Sequence, residues 1–121
     1  MAIKKILVVD DSATERHVMG EILAKRGFDV SFAEDGEKGV VQAKIDKPDL
    51  IIMDVVMPGL NGFQATRAIT KDAGTQHIPV LICTTKGQET DKIWGLRQGA
   101  KDFVVKPIDA AELLKKIAAL D

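Results

Sequence analysis

Polar residues able to handle a phosphate or a metal ion stand directly after four short apolar runs. Asp10-Asp11 follow Ile6-Leu7-Val8-Val9, Asp54 follows Leu50-Ile51-Ile52-Met53, Thr84 follows Val80-Leu81-Ile82-Cys83, and Lys106-Pro107 follow Phe103-Val104-Val105. Three carboxylates gathered at one point raise each other's pKa and cannot all stay ionised unless a cation joins them. Mg²⁺ meets that need: it prefers oxygen ligands, keeps several waters, and commonly uses one or two carboxylates together with phosphate oxygens. Lys106 adds a positive charge on a flexible stem and Thr84 a hydroxyl donor, both suited to the oxygens of a phosphoryl group on Asp54. Asp54 also runs at once into a tight-turn signature, Val56-Met57-Pro58-Gly59, which predicts a carboxylate exposed for in-line attack.

Taken singly these residues are ambiguous. An Asp after a strand is a common turn residue, a Thr before a helix a common cap, and a Lys before a Pro a common solvated charge. Asp11 could cap the first helix, but Ser12 with Glu15 already has the spacing of a capping box, so the acidic pair is surplus to structure. The weight lies in their co-occurrence at four strand ends.

The four runs have strand length and are rich in β-branched residues, so they read as buried strands. Val30-Ser31-Phe32-Ala33 alternates instead, as a strand nearer the sheet edge should. Between them lie stretches of helical period, with Val18, Met19, Ile22 and Leu23 on one face and Leu113, Leu114 and Ile117 on another. Gly27, Gly99 and Pro48 stop helices, and Asp109 with Glu112 has capping-box spacing. Gly20, inside the first helix, costs about 1 kcal/mol against Ala. Strict strand-helix alternation implies a doubly wound parallel α/β sheet with helices on both faces, because each parallel crossover is right-handed and needs its own helix. In such sheets a ligand site forms beyond the carboxyl ends of the strands, where the chemical residues fall.

With 121 residues, 45% hydrophobic and 29% charged, the expectation is one globular domain over residues 1–121. Seventeen basic against eighteen acidic side chains give a net charge of −1, which disfavours nucleic acid and anionic membranes as partners. Ile6 to Val9 is too short for a signal-peptide core, and no apolar stretch approaches the roughly 18 residues of a membrane helix, so a cytoplasmic protein is expected. Cys83, the lone cysteine, reads as a small buried hydrophobe. His17 and His77, without metal-ligand spacing, read as surface residues. Ile93 reads as core-facing, which leaves Trp94, about 100° round the helix, partly exposed, either as a partner anchor or as a ring folded onto its neighbours.

The set formed by Val8-Val9-Asp10-Asp11-Ser12, Met53-Asp54-Val55-Val56-Met57-Pro58, Thr84 and Lys106-Pro107 resembles the receiver domains of response regulators, and the likeness spans the chain. The resemblance implies a five-stranded sheet of order 2-1-3-4-5 with five helices. It implies that Asp54 accepts a phosphoryl group from a histidine kinase or phosphotransfer domain, and that Asp10, Asp11, Asp54 and the backbone carbonyl of Val56 hold Mg²⁺. It further implies a switch in which Thr84 moves onto the phosphate and vacates space for Phe103, a cis Lys106-Pro107 peptide, and output to a protein partner through the fourth helix, fifth strand and fifth helix. The stretches from Pro58 to Arg67 and from Thr84 to Gly95 resemble a stand-alone subgroup that controls type IV pilus twitching motility; a phosphate sink in a chemotaxis-type pathway and a phosphorylation-independent binding module are the alternatives.

By the same resemblance the chain is no enzyme toward external substrates and catalyses only its own phosphorylation and dephosphorylation. Phosphatases that form an aspartyl phosphate on a related sheet need a second Asp two residues after the nucleophile, where this chain has Val56. A flavodoxin-like carrier is disfavoured because Asp10-Asp11 would repel a flavin phosphate and the chain has no Tyr. Two departures bear on the switch: Phe103 lacks the hydroxyl of many relatives, and Val56 and Lys86 occupy the positions that admit or exclude hydrolytic water.

Overall fold

The computed structural model describes residues 3–121 apart from Val56, Pro58, Leu60 and residues 86–88, and the backbone but not the side chains of residues 89–92. The elements alternate along the chain: β1 (Lys5–Val9), α1 (Ala13–Ala24), β2 (Asp29–Ala33), α2 (Gly36–Asp46), β3 (Leu50–Asp54), α3 (Gly62–Lys71), β4 (Val80–Thr85), α4 (Glu89–Arg97), β5 (Asp102–Lys106) and α5 (Ala110–Leu120). The strands form one five-stranded sheet of order β2-β1-β3-β4-β5, and each neighbouring pair is parallel. This is the doubly wound architecture that the alternation predicts.

Side chains of a strand alternate between faces, so the apolar runs split into two cores. Leu7, Val9, Ile51, Met53, Val80 and Ile82 pack with Ala43 of α2 and with Ala65 and Ile69 of α3. Ile6, Val8, Leu50, Ile52, Leu81 and Cys83 pack on the other face with Met19 and Leu23 of α1 and with Leu113 and Ile117 of α5. Each such Leu or Ile, fully buried, contributes roughly 1.5–3 kcal/mol. Among the described residues no helix is long and apolar enough to cross a membrane.

Several expectations change at the level of single residues. Phe103-Val104-Val105 is not a fully buried run: β5 is an edge strand, and Val104 is its buried residue, with Phe103 and Val105 only partly covered. Val18 is 45% exposed, on the rim of the α1 face whose centre is Met19 and Leu23. Ile93 is 56% exposed rather than core-facing; among the described side chains of α4, Gly95 is the buried residue, seated on Ile82. The glycine at position 20 has a packing reason, because a Cβ there would lie 2.7 Å from Cζ of Phe32.

The helix starts also differ in detail. Ser12 caps α1 by accepting from Glu15 N–H at 3.3 Å, but the Ser12 N–H donates to Asp10 Oδ1, so the reciprocal half of the box is replaced by a bond to the acidic pair. Asp109 caps α5 by accepting from Ala111 N–H, two residues on, rather than through a box with Glu112. The full capping box is Asn61 with Gln64 at the start of α3, a signal the sequence reading passed over. Gly27 and Gly99 end their helices at φ of 85° and 106°, and Lys47 ends α2 at φ of 50° just before Pro48.

Candidate functional site

Strand register brings the acids together. Val9 pairs with Met53, so Asp10 follows β1 level with Asp54 at the end of β3, and Asp54 itself pairs with Cys83. Carboxylate oxygens of Asp10, Asp11 and Asp54 lie within 4.8 Å of one another. Asp10 and Asp54 are buried while Asp11 is exposed, so the cluster opens to solvent on the Asp11 side. The exposed carboxylate expected at Asp54 is not found: its side chain keeps only 8% of its accessibility, because β1, β4 and Lys106 surround it.

Lys106, the last residue of β5, reaches across the rim to both buried acids, with Nζ 3.1 Å from Asp10 Oδ2 and 3.2 Å from Asp54 Oδ1. Burial works against its charge, but the Asp54 and then the Asp10 carboxylates outweigh that cost and hold its pKa above the ordinary lysine value. The Lys106-Pro107 peptide that follows is cis. Asp10 is fixed from three sides: its N–H donates to Ala33 O at 3.1 Å, its carbonyl accepts from Arg16 Nη1 at 2.7 Å, and its Oδ1 accepts from Ser12 N–H at 3.0 Å. Arg16 is a site neighbour that the sequence reading did not single out; its place one helical turn after Ser12 is the signal that could have found it.

Thr84 is fully buried, and its hydroxyl donates to the Val104 carbonyl at 3.5 Å, toward β5 rather than into the acidic cluster. Phe103 lies on β5 between the α3 core and α5, half-buried. Val56, whose carbonyl was expected to complete the metal shell, and Lys86 lie outside the described residues. Gly62 closes the site from α3: its N–H donates to Val55 O at 3.2 Å, and a Cβ there would collide with the Asp54 carbonyl oxygen.

The other candidates lie elsewhere. Cys83 is buried, and burial pushes its thiol up to about 12, which removes it as a nucleophile. His17 is on the surface but not isolated, since Nε2 lies 3.0 Å from Glu21 Oε1 one turn on. His77 is exposed. Trp94 is 52% exposed with the Arg97 guanidinium 5.5 Å from its ring centroid. A groove of about 520 Å³ between β2 and α2, lined by Phe32, Ala33 and Val41 with Arg16, holds none of the acidic cluster.

Three donated carboxylates, one exposed, suit a hard divalent cation, and a lysine ammonium beside them suits an anion brought to that cation. The chain is 58% identical to Protein PilH of Pseudomonas aeruginosa over 96% of each chain. Its fold matches the chemotaxis protein CheY4 of Vibrio cholerae with a TM-score of 0.91 and 32% identity, over 99% of this chain and all of that one. It also matches the receiver domain of the sensor histidine kinase PA1611 of Pseudomonas aeruginosa, described with a magnesium ion in its active-site cleft, with a TM-score of 0.90 and 29% identity over 98% of each. Residues 6–118 match the response regulator receiver domain, and the chain belongs to that family.

Proposed function

We propose that residues 1–121 form one cytoplasmic receiver domain that accepts a phosphoryl group on Asp54 and passes the change to a protein partner. The observation that carries this reading is the convergence of Asp10, Asp11 and Asp54 within 4.8 Å beside a Lys106 ammonium about 3 Å from two of them. These three acids, with the Val56 carbonyl, would hold Mg²⁺. When bound, the ion supplies neutralising charge to the phosphoryl oxygens and to the acceptor.

The remaining work falls to the chain. An Asp54 carboxylate oxygen attacks phosphorus, forming the acyl phosphate as the bond to the donor's imidazole breaks and its electron pair leaves with the ring. Lys106 sits on Asp54 Oδ1 at 3.2 Å and becomes the counter-charge of the new phosphoryl group. The Thr84 hydroxyl leaves the Val104 carbonyl to donate to that group, and the Phe103 ring moves into the space it vacates. A group carrying about −1.5 to −2 charge thereby biases the α4, β5 and α5 face, where a partner docks. The donor is a histidine kinase or a phosphotransfer domain. Identity of 58% to PilH over 96% of each chain, together with the motif resemblance, supports a regulator of type IV pilus twitching motility.

Incubation with a small phosphodonor followed by intact-mass measurement tests the assignment. Wild type should gain one phosphoryl group only when Mg²⁺ is present, and Asp54→Asn should gain none. An equal gain in Asp54→Asn would overturn it.

A further inference from the structure

We infer that Lys116, anchored by Asp102, positions the Phe103 ring in the resting state and sets how readily the switch moves. This rests on the reading above, in which the ring relocates on phosphorylation. Asp102 Oδ1 accepts from the backbone N–H of Phe103 at 2.8 Å and pairs with Lys116 Nζ at 3.0 Å. The same ammonium stands 4.6 Å from the Phe103 ring centroid. One carboxylate thus fixes the backbone of the switch residue and the cation over its ring, tying β5 to α5.

A phenyl ring has no hydroxyl to hold it, and the polar handle it does offer is its electron-rich face. Lys116 and Asp102 are each about a quarter to a third exposed, so the contact is shielded without being sealed from water. Anchoring by Asp102 restricts a side chain that would otherwise sample many rotamers, which lowers the entropy cost of keeping the cation on the ring. Moving the ring away gives up that contact. The resting state is therefore favoured about 2- to 5-fold by it, and anything that stabilises the moved ring binds more weakly by the same factor.

Fluorophenylalanine labelling tests this, because the chain has four phenylalanines and Phe103→Leu identifies the resonance that matters. Beryllofluoride with Mg²⁺ serves as the probe, and thermal melts confirm that each variant folds. Lys116→Met keeps the stem and loses the charge; it should lower the half-saturating beryllofluoride concentration about 2- to 5-fold and shift the ligand-free Phe103 resonance toward the bound position. Lys116→Arg should restore wild-type behaviour. Asp102→Asn should fall between, and combining it with Lys116→Met should add nothing to Lys116→Met alone. A wild-type midpoint and resonance in Lys116→Met would overturn the inference while leaving the switch reading intact. A wild-type Phe103 resonance that ignores saturating beryllofluoride would defeat both.

Discussion

Helices α3 and α4 each follow a strand that ends at the acidic rim, yet they are anchored in different ways. The first turn of α3 carries a reciprocal capping box between Asn61 and Gln64, and its Gly62 lies against the backbone of Asp54 and Val55. Gly95 of α4 meets the δ-methyl tip of Ile82, and Ile93, Trp94 and Leu96 around it remain about half exposed. A carbonyl in a sheet cannot step aside, whereas a methyl tip can change rotamer. One helix thus abuts the backbone of the acceptor strand through Gly62, and the other abuts a side chain through Gly95.

Substitutions at the two glycines separate these roles. Gly62→Ala drives a methyl into the Asp54 carbonyl and to 2.6 Å from Val55 Cα, and should cost more than about 3 kcal/mol in urea unfolding. Gly95→Ala should cost about 1 kcal/mol, since the crowding of Ile82 is offset in part by the better helix propensity of Ala. A loss at Gly95 as large as that at Gly62 would show α4 to be as rigidly seated as α3. Smallest of all, Trp94→Ala should leave stability within about 0.5 kcal/mol of wild type, because its ring is half exposed and lies beside the exposed Arg97. A larger loss would mean that the ring supports the fold.

Much of this was legible in the sequence, for stated reasons. Apolar runs followed by Asp, Asp, Thr and Lys marked strands and their carboxyl ends, because period and length constrain buried parallel strands tightly. Facing within helices was harder to read: Val18 and Ile93 satisfy a helical period yet lie outside, since period gives spacing but not the angle at which a helix meets the sheet. Phe103-Val104-Val105 has the composition of a central strand, and only the sheet order reveals it as an edge. Most of the site's polar wiring was hidden for the same reason. That Lys106 bridges Asp10 and Asp54, and that Arg16 holds the Asp10 carbonyl, depends on contacts across as many as 96 residues of sequence.

Calorimetric titration with Mg²⁺ tests the central claim most directly, using wild type beside Asp11→Asn, whose altered side chain is exposed and so leaves the core untouched. Saturable uptake of one ion by wild type, abolished or greatly weakened in Asp11→Asn, is the predicted result. Equal uptake by both proteins, or none by wild type, would contradict the assignment of these three carboxylates as a magnesium-dependent phosphoacceptor centre.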